Sequence, residues 1–343
     1  VTETPITAAV YGCEGLELTD WERDFFAEVN PLGLILFARN VRDEEQVRNL
    51  VESFREVVDR AGSPVLIDQE GGRIQRLKPP IWRQAPPPAI FGRLAERDPK
   101  AAERAAAINA RLIAHDLLSL GITVDCAPLL DLYIKSAHAV IGDRAFSGDV
   151  EIVARLGQAA CAGFLSGGVI PVVKHIPGHG RALADSHLEL PVVDAPHAEL
   201  SGSDFWPFVE LAGAPWAMTA HVVYSALDAD RPATVSPKVI AEIVRGEIGF
   251  EGVLVSDDLS MQALSGDLET RTRECLAAGC DVALHCNGTR AEMEQVARAA
   301  LPLTEAAQER IEAAEAQRRV PTPIAPLDVV AELEDLLSTG LRA

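Results

Sequence analysis

Three histidines, a lysine and an aspartate fall within KHIPGHGRALADSH (174–187), directly after the apolar run GGVIPVV (167–173). Titratable groups gathered at the end of an apolar run point to ligand binding or proton transfer. Asp185 and His187 are one residue apart. An aspartate can accept the proton of a histidine's far ring nitrogen, fixing the tautomer and raising basicity, so that the near nitrogen exchanges a proton with a substrate. The same pair can also simply cap a turn. His175 and His179 stand four apart, the spacing of a helical zinc pair. Pro177 and Gly178 interrupt them, so IPGHG reads as a tight turn opening a long loop rather than as a helix. A second cluster is SDDLSM (256–261). Adjacent side chains in extended backbone point to opposite sides. One of Asp257 and Asp258 can therefore face a pocket as a nucleophile, while the other supports a loop or caps a helix start.

Both clusters follow short aliphatic runs, and such runs recur. They are ITAAVYG (6–12), GLILFA (33–38), PVLIDQ (64–69), ITVDCAP (122–128), VIPVVKH (169–175), WAMTAHV (216–222), GVLVSD (252–257) and DVALHC (281–286). Near-continuous Val/Ile/Leu runs suit strands buried on both faces. Amphipathic helical spacing lies between them at 43–60, 100–120, 150–165, 237–248, 268–279 and 290–301. Gly121, Gly249 and Gly279 stand where left-handed helix termination would use them. The alternation predicts an α/β fold, a single-domain TIM-like (β/α)8 barrel with a long mobile active-site loop after strand 5. A doubly wound open sheet is the alternative. One catalytic domain is expected over 1–343, with 320–343 a C-terminal extension packed on it. The Pro-rich KPPIWRQAPPPAI (78–90) reads as a long loop after the third strand.

In a barrel, function belongs to the C-terminal strand ends. Polar residues gather there: DQEGGRIQR (68–76), DCAPLLD (125–131), Lys174 and His175, His221, SDDLSM, and His285 with Asn287. Six such ends imply one shared pocket.

The chain's 343 residues carry a formal net charge of -20, which repels phosphate backbones and argues against nucleic-acid binding. The six cysteines include no CxxC pair and are read as reduced, buried thiols. VTETPITAAVYG has no basic and apolar leader pattern, and no window is a membrane span. A cytoplasmic protein with no membrane partner is expected.

DQEGGRIQR, KHIPGHG with the downstream DSH, and SDDLSM together resemble family 3 glycoside hydrolases, in particular the bacterial β-N-acetylglucosaminidases of the NagZ type. GLILFARN (33–40) and IGDRAF (141–146) match further motifs of that group, in order and spacing. The resemblance implies a TIM-like barrel and retaining hydrolysis of a terminal, nonreducing β-linked N-acetylglucosamine. It gives Asp257 as nucleophile and His187, oriented by Asp185, as general acid/base. Asp68, Arg76, Arg144, Lys174 and His175 match substrate-binding positions. The implied substrates are cytoplasmic peptidoglycan fragments. No cofactor, no metal and a monomeric chain are expected. Retaining glycosidases normally use two carboxylates; here a histidine with an ordinary pKa of about 6.5 takes the second role. Gly178 and Gly180 are expected to hinge its loop. Arg76, Arg144 and Lys174 are expected to make the mouth less negative than the rest of the surface.

Three other readings remain. A His/Asp acid/base repels incoming phosphate less than a glutamate would, which suits a β-N-acetylglucosaminide phosphorylase on the same fold. A metal-dependent hydrolase would use His175, His179, Asp185, His187 and Asp257. A silent sugar-binding protein would be expected to have lost the nucleophile or the proton shuttle, and both are present.

Overall fold

The computed structural model describes residues 4–342 apart from 136, 138, 139 and 187, with the backbone alone at 339–342. Each aliphatic run becomes a strand: β1 (Thr7–Tyr11), β2 (Pro31–Leu36), β3 (Val65–Ile67), β4 (Val124–Asp125), β5 (Ile170–Ile176), β6 (Trp216–Thr219), β7 (Val253–Asp258) and β8 (Val282–His285). They close into a parallel barrel in chain order, β1 pairing with β8. The strands are buried on both faces, as their composition requires. Val10, Ile35, Leu66, Val124, Val172, Met218, Val255 and Leu284 fill the interior. Their neighbours Ala9, Leu34, Val65, Val173, Ala217, Leu254 and Ala283 pack outward against the helices.

The helices are set by local signals. Thr19 and Glu22 form a capping box that starts the helix Asp20–Val29, which the sequence analysis passed over. Asp43, Asp98, Asp149 and Asp267 each cap the helix that begins one residue later. Gly121, Gly249 and Gly279 all have positive φ, consistent with the expected helix ends.

Leu303, Ala307 and Ala314 join the interior cluster, so the helix Glu305–Gln317 seals the barrel at one end. The other end holds the polar strand ends. The helix Pro326–Arg342 lies against Pro99–Ser119 and buries Leu333. The loop after β5 touches down as a two-residue strand, Val192–Val193, paired in parallel with Val223–Tyr224. No helix is long and apolar enough to cross a membrane, among the described residues.

Candidate active site

The strand ends surround a cavity of about 280 Å³. Asp68, Arg76, Arg144, Lys174, His175 and Asp257 all line it, together with Glu70 and Asp258. Asp185 is half-buried in the loop after β5, and its neighbour Ser186 also lines the cavity. His187 lies outside the described residues.

One wall is a chain of alternating charges. Arg76 donates to Asp68 at 3.1 Å; Lys174 Nζ lies 2.9 Å from Asp68 and 2.7 Å from Glu70. Arg144 grips Glu70 with two hydrogen bonds, at 2.9 and 2.8 Å. Burial alone would raise the Glu70 carboxyl, but Arg144 and Lys174 pull it well below the carboxylate range. Burial alone would likewise raise Asp68, and Lys174 and Arg76 reverse the sign. Lys174 is only 2 % exposed; burial opposes its charge, yet Asp68 and Glu70 hold its ammonium well above the ordinary value. The network is ionic throughout and its members fix one another. Arg76 Nε is buried with no hydrogen-bond partner among the described residues.

This changes the expected electrostatics of the mouth. The three cations do not stand alone, because Asp68 and Glu70 take up two of the three charges. What they offer a substrate is oriented hydrogen-bonding groups rather than a broad positive field.

A second group centres on Asp131, just beyond β4 and buried. Its Oδ2 lies 2.7 Å from His175 Nδ1, and its Oδ1 accepts the backbone N–H groups of His175 at 3.2 Å and His179 at 2.6 Å. Burial would raise this carboxyl, but His175 and His179 hold it below the usual range. Asp131 thus orients His175, whose Nε2 lies 4.0 Å from Asp257 Oδ2.

The two aspartates of SDDLSM divide their roles. Asp258 accepts from Ser260 N at 3.0 Å and Cys286 N at 3.1 Å, tying the turn after β7 to the end of β8. Asp257 accepts the Asp258 N–H at 2.8 Å, and the residue lines the cavity.

Two strand-end histidines have other tasks. His221 is buried between Thr234 Oγ1, at 2.7 Å, and the Asp258 carbonyl, at 3.0 Å. His285 does not reach the cavity. Leu284 and Cys286 face the interior, so strand alternation turns His285 outward, its ring 6.4 Å from that of Tyr11. Cys280 belongs to the outer shell and Cys286 to the interior, on the two sides of β8. All six cysteines are free and buried.

Glu70 and Asp131 lie in the strand-end stretches 68–76 and 125–131 but were not among the predicted site residues. The signal for Glu70 was Asp68-x-Glu70 at a strand end, two carboxylates on one side of an extended chain. Gln69 and Gln75 were also missed. Gln69 Oε1 accepts Arg76 N and Leu77 N, and Gln75 donates to the carbonyls of Leu77 and Arg83, so both knit the loop that carries the charges. Among the described residues, no group of three or more His, Cys, Asp or Glu side chains is arranged to hold a metal ion.

A buried ionic wall and the carboxylate of Asp257 share one cavity at the C-terminal mouth of a (β/α)8 barrel, the face where barrel enzymes carry their active sites. Comparison with known proteins gives the family. The model of the glycosyl hydrolase family 3 N-terminal domain matches residues 17–322, and the chain belongs to that family. It is similar to a β-hexosaminidase of Alkalilimnicola ehrlichii, 41% identical over 280 residues that cover 80% of this chain and 79% of the relative. NagZ of Neisseria gonorrhoeae superposes with a TM-score of 0.87 at 31% identity, over 98% of this chain and 99% of that one. The same protein in complex with N-trifluoroacetyl-D-glucosamine gives 0.85 at 30% identity, over 99% and 100%. The chain is a glycoside hydrolase acting as a β-N-acetylhexosaminidase.

Proposed function

We propose that this enzyme is a retaining, exo-acting β-N-acetylglucosaminidase that removes terminal nonreducing GlcNAc through a covalent glycosyl–Asp257 intermediate. The observation that carries the reading is the contrast among the cavity carboxylates. Asp68 and Glu70 are locked into ion pairs with Lys174, Arg76 and Arg144. Asp257 faces the same cavity from the end of β7, its Oδ2 4.0 Å from His175 Nε2.

In this reading the Asp257 carboxylate attacks the anomeric carbon while the bond to the leaving oxygen breaks, and His187 gives that oxygen its proton. His187, held by Asp185, then takes a proton from water. The water oxygen bonds to the anomeric carbon, the ester to Asp257 breaks, and two inversions leave the β configuration. Asp68, Arg76, Arg144, Lys174 and His175 bind sugar hydroxyls. The gonococcal relative's complex with an N-acylated glucosamine supports the choice of sugar. A small cavity suits one terminal ring better than an internal stretch of polymer.

The substrates that fit this reading are peptidoglycan fragments such as GlcNAc-1,6-anhydroMurNAc and its peptides, met in the cytoplasm by a monomer. Six free thiols suit a reducing compartment.

The test is product release from 4-nitrophenyl β-N-acetylglucosaminide beside the β-glucoside, in chelator and without phosphate, with proton NMR of the first sugar formed. Turnover of the GlcNAc substrate alone with β product is expected. First-formed α product would overturn retention, and sugar 1-phosphate appearing only on adding phosphate would replace the hydrolase with a phosphorylase.

A further inference from the structure

The segment that leads from β5 to His187 is pinned rather than hinged. Gly178 has φ +133, and a Cβ there would meet Asp204 Cβ at 2.9 Å. A Cβ on Gly180 would lie 2.4 Å from the Leu132 carbonyl. These glycines permit close packing of backbone. The Tyr224 hydroxyl donates to the Gly178 carbonyl at 2.7 Å, and Arg181 Nε donates to Asp204 at 2.6 Å. Beyond these, apolar anchorage is scarce: Leu183 and Leu188 are each 69 % exposed. Polar contacts must therefore hold the distal part: the Asp185 carbonyl accepts the Leu188 and Glu189 N–H groups at 2.9 and 3.0 Å, and Ser186 reaches two other segments. Its carbonyl accepts the Ala263 N–H at 3.3 Å, and its Oγ lies 3.2 Å from His179 Nε2.

His179 suits this task. It is buried, its backbone N–H is held by Asp131 at 2.6 Å, and its Nδ1 has no partner among the described residues. Burial pushes its pKa down to about 4, so the ring is neutral and carries one N–H. Placing that proton on Nε2, donating to Ser186 Oγ, leaves Nδ1 as a bare acceptor. The other tautomer would bury an unpaired N–H, the rarer and costlier arrangement. Ser186 stands between Asp185 and His187 in the chain.

We propose that His179 and Ser186 are positioning residues for the acid/base: His179, anchored on Asp131, fixes Ser186 at the cavity wall and thereby sets where Asp185 and His187 stand. The inference rests on the reading of His187 as the acid/base, and it adds a polar anchor on the residue before it to the close backbone packing at Gly178 and Gly180.

The experiment compares kcat/KM and KM for methyl and 2,4-dinitrophenyl β-N-acetylglucosaminides in the wild type, Ser186→Ala, His179→Leu, His179→Gln and His187→Ala. A methoxide leaving group needs a proton and a dinitrophenolate does not, so misplacing the acid/base lowers kcat/KM on the first substrate alone, while on the second it slows only the later hydrolysis of the glycosyl-enzyme. Ser186→Ala and His179→Leu are expected to lose at least about tenfold more on the methyl glycoside, with KM nearly unchanged. His179→Gln, whose amide can still donate to Ser186, is expected to recover most of this. With the dinitrophenyl substrate, azide is expected to speed turnover of Ser186→Ala. The anion attacks the anomeric carbon and releases Asp257 without needing a base. Equal losses on both substrates with a raised KM would reduce the pair to packing and overturn the inference, as would a wild-type ratio in Ser186→Ala. His187→Ala reads the other question: if it shows no leaving-group selectivity, the acid/base assignment itself fails. Selectivity in His187→Ala but not in Ser186→Ala sinks the anchor alone.

Discussion

The two sides of the cavity are built on different principles. The wall formed by the end of β5 and the loop after β3 holds its shape by charge against charge: Arg76, Asp68, Lys174, Glu70 and Arg144 are each paired before any ligand arrives. The loop after β5 is tied at its base by the ion pairs of Arg181 with Asp204 and Glu199, but farther along it leaves Leu183, Leu188 and Leu190 exposed and meets the cavity wall through hydrogen bonds such as His179 to Ser186. Groups that bind a sugar gain from preorganisation, since their dipoles need not reorient when it enters. A group that delivers a proton to a departing oxygen must be placed closely, yet the product must leave past it. The lightly anchored side is where an enzyme can tolerate opening, and low local stability is what opening requires.

The largest expected effect separates chemistry from both walls. Asp257→Ala should lower turnover of 4-nitrophenyl β-N-acetylglucosaminide by at least about three orders of magnitude. Its thermal midpoint should stay within about 4 °C of wild type, because the change leaves in place the ion pairs that join Asp68 and Glu70 to Arg76, Arg144 and Lys174. Activity within about tenfold of wild type would remove the nucleophile and with it the covalent mechanism.

The next prediction sets the two sides against each other. Lys174→Met leaves two buried carboxylates without their shared cation, and breaking a buried pair from one side costs about 3–5 kcal/mol. Urea unfolding should show that loss. Asp185→Asn should cost less than about 1 kcal/mol in the same assay, while lowering kcat on the methyl glycoside by about a hundredfold or more, since an amide cannot hold the imidazolium as a carboxylate does. If Asp185→Asn unfolds the protein as readily as Lys174→Met, the loop is a structural wall like the other and the comparison collapses.

The same division explains what was legible in the sequence. All eight strands could be placed because burial on both faces demands near-continuous aliphatic runs, and the strand ends followed from them. The motif residues Asp68, Arg76, Arg144, Lys174, His175 and Asp257 do meet at one cavity. Glu70 and Asp131 were not named as site residues because their partners lie far along the chain: Glu70 pairs with Arg144 and Lys174, and Asp131 with His175. Strand-end spacing places Glu70 on the side of Asp68, but the identity of a cation that arrives from another strand has no local mark. His285 misled for the opposite reason. Its position at a strand end was right, but one step of alternation put it behind the wall. The glycines of IPGHG were read as freedom, whereas Asp204 and Leu132 crowd them, and such close approach of distant segments has no local signature either.

The smallest effect tests which side the base of the loop belongs to. His179 in the folded chain stays neutral down to about pH 4, while an unfolded histidine titrates near 6.5. Between these values the unfolded state binds a proton that the folded state refuses, so stability is complete above pH 6.5 and declines as pH falls toward 4. His221 and His285, also held down by burial, add to the same slope. Asp68, Glu70 and Asp131 act lower, because their depressed carboxyls keep their stabilisation until pH drops below the unfolded value of about 4. His179→Gln removes one proton from the upper window only. Its unfolding free energy should therefore fall less steeply from pH 6.5 to 5, by at most about 1.4 kcal/mol per pH unit, and run parallel to wild type below 4. Parallel lines throughout would mean that His179 meets solvent freely in the native state, so that the loop opens from its root. A flatter line in the variant would make residues 177–186 part of the rigid wall and leave only the chain beyond Ser186 to move.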